Sequence, residues 1–153
     1  MNLYDGKKST TDNLILKSKF AEILDTYDRF NAVYTDGSKD GDRVAAAAVA
    51  DRKGIAFRLP SHASIFSAEL KAILVALDCM KVSTKKQFIL FSDSLSALQA
   101  IRNHKLDNTL VMQIILRYNK LLSLGKNMGF CWVPSHAGIH GNEKADKMAK
   151  EAL

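Results

Sequence analysis

Cysteine is scarce in this chain: 153 residues carry two, Cys79 and Cys131, far apart and each in apolar surroundings. A disulfide framework or a thiolate metal site needs more cysteines at closer spacing. Both therefore read as reduced core residues, and a reducing compartment is expected. Long apolar runs are also missing. A membrane-crossing helix needs about 20 consecutive apolar residues, and no segment offers them. Lys7 and Lys8 stand near the start without an apolar core behind them, so a secretory signal is not indicated. Acid is in short supply too: 16 Asp and Glu against 22 Lys and Arg, a net charge of +6. If those few acids gather at one place, the rest of the surface is more basic still. That suits a polyanionic partner; the plain alternative is a charge for solubility.

What remains is ordinary for one domain with a real core, with 47% hydrophobic residues and no internal repeat or low-complexity tract. Residues 1–12 are polar and read as a flexible arm or a linker from a longer chain. Leu16, Phe20, Ile23, Leu24 and Tyr27 recur at helical spacing, with Asp12 or Asn13 as a cap. Residues 1–28 are thus expected to be a leader whose helix packs on a catalytic domain of residues 29–153 without belonging to its catalytic unit.

Phe30 to Thr35 reads as a strand, Lys39-Asp40-Gly41-Asp42 as a turn, and Val44 to Ala50 as a second strand. The second strand is so rich in alanine that something must pack close to it. Asp51-Arg52-Lys53-Gly54 turns into a third strand, Ile55 to Leu59, giving an antiparallel meander. Ser64 can cap a helix to about Met80, with Ile65, Ala68, Ala72, Ile73, Ala76, Leu77 and Met80 inward. Phe88 to Phe91 is continuously apolar, as in a central strand covered on both faces. Ser94 caps a short helix, and Asp107 or Asn108 a longer one that ends at Gly125. Met128 to Val133 is a fifth strand, and Asn142 caps a last helix. This order predicts an α/β fold: a mixed five-stranded sheet, strands 1–3 antiparallel and strands 4 and 5 parallel, with helices on both faces.

Four carboxylates stand out against this frame. Asp36 and Asp93 end apolar strands, and ligands in open α/β sheets bind beyond the carboxyl ends of strands. Glu69 lies on an apolar helix, and Asp146 in the first turns of the last one. Singly, each has a bland explanation as a turn, a cap or a helix-dipole partner. Jointly, four acids from four elements on a basic chain suit a hard divalent cation acting on phosphodiesters. His136 and His140 share a Gly-rich loop after the fifth strand, where a histidine can move protons near neutral pH. His62 and His104 have no such company and read as surface residues. Trp132 reads as core.

Thr35-Asp36-Gly37-Ser38, Ala68-Glu69-Leu70, Ser92-Asp93-Ser94 and the segment from Ser135-His136-Ala137-Gly138 to Asn142-Glu143-Lys144-Ala145-Asp146 occur in the order of the ribonuclease H family. The chain resembles that family over about residues 30–153. Ser64-Ile65-Phe66-Ser67-Ala68-Glu69 and Trp132-Val133-Pro134-Ser135-His136 look most like the ribonuclease H domains of non-LTR retrotransposon polyproteins. The resemblance implies a ribonuclease H-like fold and endonucleolytic cutting of the RNA strand of an RNA/DNA hybrid. It implies two Mg²⁺ ions, with Mn²⁺ able to substitute, and products with 5′-phosphate and 3′-hydroxyl ends. By the same likeness Asp36 bridges both ions, Asp146 completes the nucleophile side, and Glu69 and Asp93 the leaving-group side. His136 matches the mobile-loop histidine of the family. Gly37, Ser38, Ser64, Ser94 and Asn142 fall where substrate is bound.

A reverse transcriptase domain in the same polyprotein, a monomeric state and a nuclear or cytoplasmic location are the corresponding expectations. The chain departs from many cellular members in two respects. His104-Lys105-Leu106-Asp107 passes straight to the next helix, so a basic handle is missing, and Ile65 and Phe66 stand where two asparagines often read the substrate. Lys81, Lys85, Lys86, Lys144, Lys147 and Lys150 are candidate phosphate contacts. Two other readings are an idle, domesticated nucleic-acid-binding module and a DNA-strand transferase of the same superfamily. Four retained acids argue against the first, and the His136–Asp146 segment against the second.

Overall fold

A computed structural model describes residues 13–51 and 53–153. Helix α1 (Asn13–Thr26) is followed by strands β1 (Asn31–Asp40), β2 (Arg43–Ala50) and β3 (Lys53–Arg58) and helix α2 (Ile65–Val82). Strand β4 (Gln87–Ser92), helices α3 (Leu95–Arg102) and α4 (Thr109–Ser123), strand β5 (Asn127–Trp132) and helix α5 (His140–Glu151) complete the order. The sheet runs β3-β2-β1-β4-β5. Its β1–β2 and β2–β3 pairs are antiparallel, and its β1–β4 and β4–β5 pairs are parallel. This is the mixed sheet that the element order predicts.

The alanines of β2 have a packing reason. Val44 to Val49 are all buried. Ala46 joins Ala68 and Ala72 of α2 in one apolar cluster. Beside it on β3, a Cβ at Gly54 would lie 2.5 Å from the sulfur of Met148 on α5. Small side chains let the meander carry a helix closely on each face. In β4, Phe88 to Phe91 are all buried, as a strand between two covered faces requires.

Local signals set most helix ends. The hydroxyl of Ser64 accepts from the Ser67 N–H at 3.0 Å, and that of Ser94 from the Ala97 N–H at 3.3 Å. Asn108 Oδ1 accepts from Leu110 and Val111, so Asn108 rather than Asp107 is the cap. The far end of α2 is closed from a distance. The buried Lys126 ammonium donates to the carbonyls of Met80, Lys81 and Ser83 at 2.6, 2.9 and 2.5 Å. It thereby satisfies helix-end acceptors that have no partner within the helix.

Several expectations are corrected. β1 continues to Asp40, because pairing with β2 persists to Asp40↔Arg43, so Lys39 and Asp40 are strand rather than turn. Lys53 and Gly54 likewise belong to β3. Ile65 is exposed at the very start of α2, before the helix reaches the sheet. Cys79 is exposed and only Cys131 is buried, and no disulfide joins them. Asn142 is not a cap: α5 starts at His140, the cap position is Ile139, and Asn142 is buried inside the first turn.

Helix α1 packs on the domain, as expected. Phe20, Ile23 and Tyr27 lie against the core. The Phe20 ring meets Phe91 edge-on at 5.1 Å and Tyr34 at 6.4 Å, and Tyr34 stacks on Phe91 at 5.0 Å. Leu24 is exposed. The readings for residues 1–12, including the Asp12 cap, and for the side chain of Leu16 lie outside the described residues.

Candidate active site

Strands β1 and β4 pair in parallel from Asn31↔Phe88 to Thr35↔Ser92. The next residues along the two strands are Asp36 and Asp93, which therefore stand side by side where the strands part. Asp36 is not at the end of β1, which still pairs with β2 there. What ends at Asp36 is the parallel ladder, and that opening gives both carboxylates a common mouth. Glu69 arrives from α2, and Gly37 lets it approach: a Cβ at position 37 would lie 3.0 Å from both the Ala68 Cβ and the Glu69 nitrogen. The carboxylate oxygens offered by Asp36, Glu69 and Asp93 all fall within 4.8 Å of one another.

Three acids so close in a buried setting resist ionising together. Burial, followed by the charges of Asp93 and Asp146, pushes Asp36 up to about 8, against the hydrogen bonds from Glu69 and the Gly37 N–H. That N–H donates to Asp36 Oδ1 at 2.9 Å. Burial, followed by the charges of Asp36 and Asp93, pushes Glu69 up to about 10. Asp93 is raised by burial, while the amide of Asn142 and the charge of His136 oppose the rise. Oε2 of Glu69 is buried without a hydrogen-bond partner. Clustered anions with an orphaned carboxylate oxygen lack positive charge, and hard oxygen ligands of this kind fit a divalent cation.

Asp146 is set slightly apart. Its carboxylate accepts from Lys150, one turn along α5, at 2.8 Å, yet its charge still raises both Asp36 and Asp93. The four acids therefore share one rim, with three in the tight cluster and the fourth in an ion pair. His136 is exposed in the loop between β5 and α5, with its backbone at φ +53°. His140 is exposed at the start of α5.

The other candidates divide. Gly37 is occupied in admitting α2, and Ser38 is buried in β1. Ser64 and Ser94 cap α2 and α3. Asn142 reaches the cluster: its Nδ2 donates to Asp93 Oδ2 at 3.4 Å, and its buried Oδ1 has no partner. Lys147 stands 3.8 Å from Glu151, and Lys85 donates to Asp51 at 2.8 Å, so these lysines are partly engaged already. His62 and His104 are exposed, as expected.

Two supporting contacts were not legible in the sequence. The indole N–H of Trp132 donates to the Asp93 carbonyl at 3.2 Å, holding the backbone of that acid. Its signal is the Ser92↔Trp132 register, which exists only in the folded sheet. The Tyr34 ring lies under Gly141, where a Cβ would come within 2.2 Å of it, so α5 begins tight against β1. The Asp146–Lys150 pair did have a signal, the i,i+4 spacing of opposite charges on a helix.

The family model for RNase H matches residues 29–153. The chain is 33% identical over 132 residues to the Gag-Pol polyprotein of bovine immunodeficiency virus (strain R29), covering 86% of this chain and 8% of the polyprotein. It is 27% identical over 141 residues to ribonuclease H1 of Homo sapiens, covering 80% of this chain and 49% of that protein. The chain thus spans less than half the length of either curated relative. In fold it is similar to the crystal structure of RNase H1 from the halophilic archaeon Halobacterium salinarum NRC-1. The TM-score is 0.64 at 22% identity, over 80% of this chain and 96% of that one. With the family match running from β1 to the end of α5, through every acid of the rim, the chain belongs to the ribonuclease H family.

Proposed function

We propose that this chain is a ribonuclease H enzyme that hydrolyses the RNA strand of an RNA/DNA hybrid. The observation that carries the reading is the cluster of Asp36, Glu69 and Asp93 within 4.8 Å, with Asp146 at the same rim. These four residues would hold two Mg²⁺ ions, Mn²⁺ substituting, which supply Lewis acidity to water and to the departing oxygen. The protein's own groups do the positioning. Gly37 and α2 bring Glu69 against Asp36, Trp132 holds the Asp93 backbone, and Asn142 holds its carboxylate. His136, exposed on its loop and lowering Asp93 by its charge, would deliver a proton to the departing 3′ oxygen. Water adds to phosphorus as the bond to the 3′ oxygen breaks, leaving 5′-phosphate and 3′-hydroxyl ends.

In this reading residues 29–153 form the catalytic domain, Gly37, Ser38, Ser64, Ser94 and Asn142 lie along the hybrid, and the chain acts as a monomer in the nucleus or cytoplasm. Its service would be the removal of template RNA during retrotransposon reverse transcription, beside a reverse transcriptase domain. The motif spelling supports that setting, as does the similarity to a viral Gag-Pol polyprotein.

The test compares an RNA/DNA hybrid, an RNA duplex and a DNA duplex, each with Mg²⁺ and with EDTA. Metal-dependent cutting of the hybrid's RNA strand alone is expected, and Asp93→Asn should lower the rate by about 10³-fold or more while the protein stays folded. Preferential cutting of the DNA duplex would point to a strand transferase. Hybrid binding without turnover under any metal would point to an idle module.

A further inference from the structure

The acid rim needs cations beside it to hold a polyanion, and the lysines nearest to it on α5 are partly occupied. Lys150 is bonded to Asp146, and Lys147 stands 3.8 Å from Glu151. The described residues place one more lysine at the same level, and it comes from α1 rather than from the sheet or its crossovers. Phe20 of α1 sits on Tyr34 and Phe91. Those two rings lie two residues before Asp36 on β1 and two residues before Asp93 on β4, so Phe20 marks the height just beneath both acids. Tyr27 packs on Phe30 at 5.3 Å, at the opposite end of β1. Helix α1 therefore runs antiparallel to β1, and its N-terminal direction points toward the acids. Lys17 is one turn before Phe20 on the same helix face, about 4.5 Å further along the axis. Two residues of strand advance about 6.6 Å, so Lys17 comes close to the level of the acids.

An independent contact gives the same placement. A Cβ at Gly138 would lie 2.3 Å from Lys17 Cε and 2.6 Å from its Nζ. Gly138 is in the loop of His136, two residues beyond it, and has φ +76°. A glycine there serves both the left-handed backbone and the passage of the lysine. Lys17 is exposed and makes no ion pair among the described residues.

We infer that Lys17 is a substrate-binding residue: its ammonium takes a backbone phosphate of the nucleic acid duplex at the His136 side of the rim. In doing so α1 supplies part of the grip for which this chain has no basic handle. The inference rests on the reading of the site as one that acts on an RNA/DNA hybrid.

The test uses the full chain with Lys17→Ala, Lys17→Glu and Lys17→Arg. Steady-state cleavage of an RNA/DNA hybrid is measured over a range of KCl concentrations, with thermal melting of each variant and of Phe20→Ala. Lys17→Ala should raise KM about 3- to 10-fold at low salt and Lys17→Glu more, with kcat within about twofold. Each should flatten the plot of log affinity against log salt by about one. Lys17→Arg should restore KM. Melting should be unchanged in the Lys17 variants and lowered in Phe20→Ala, which separates a phosphate contact from a packing role of α1. An unchanged KM and salt slope in both Lys17→Ala and Lys17→Glu overturns the inference, as does a fall in melting temperature for Lys17→Ala equal to that for Phe20→Ala. A wild-type chain that does not cut the hybrid at all is a failure of the function reading itself, and it shows before any variant is compared.

Discussion

Asp36 and Glu69 are held in a state that costs stability. Asp36 is pushed up to about 8 and Glu69 to about 10, chiefly by burial. An unfolded carboxylate titrates near 4, so without a cation the folded chain holds more protons than the unfolded chain from about pH 4 up to about pH 8 through Asp36 and up to about pH 10 through Glu69. The raised groups therefore make no penalty below the unfolded pKa, and stability falls as pH rises through that window. Asp36→Asn removes one of the crowded charges. In EDTA at pH 8 it should raise stability by about 1–3 kcal/mol, roughly 2–10 °C in Tm, with a smaller gain at pH 5. Melting curves at the two pH values check this, and equal shifts at both would contradict the electrostatic account. By the same linkage, Mg²⁺ affinity measured calorimetrically should increase from pH 6 to pH 9, because the ion displaces protons. Local motifs singled out the three acids that the fold brings together, Asp36, Glu69 and Asp93, at this scale. The hydrogen bonds of Trp132 and Asn142 to Asp93 were not, because each depends on where another element lies.

At the scale of elements, the site depends on how closely α2 approaches β1. Gly37 is the point of contact, and the Cβ of an alanine there would meet Ala68 and the Glu69 nitrogen at 3.0 Å. Both neighbours belong to a helix packed on the sheet and cannot swing aside as a flexible side chain would. Gly37→Ala should therefore cost about 1–3 kcal/mol and displace Glu69 from Asp36. The expected result is a lowered Tm with a larger loss of kcat than of hybrid affinity. A variant with unchanged melting and kcat would show that the helix has slack. Periodicity and caps located every element, because helix and strand signals are local. They failed at ends set by partners. β1 outruns its predicted turn because β2 pairs with it as far as Asp40, and α5 starts at His140, before Asn142, with no side-chain cap to mark its start.

For the whole molecule, charge bears on how a domain without a basic handle would hold the proposed hybrid. A net charge of +6 coexists with acids gathered at one rim, so the remaining surface is more positive than the total suggests. Binding through phosphates releases counterions, and affinity then falls steeply with salt. Hybrid affinity measured by fluorescence anisotropy, with catalysis stopped by Asp93→Asn, should drop by about 10²-fold or more between about 50 and 200 mM KCl. A nearly flat dependence would mean that base or sugar contacts carry the binding instead.

By itself the sequence determined the fold class, the order of elements and the identity of the four acids. These depend on short-range periodicity, on turn and cap chemistry, and on motifs only a few residues long. Tertiary structure alone decided that three of the acids, from β1, α2 and the end of β4, form one tight cluster. It also decided that α1 lies against β1 and β4, bringing Lys17 to the His136 loop. The physical reason is that distance in space between residues far apart in the chain is set by strand register and helix packing, neither of which any local stretch of residues encodes.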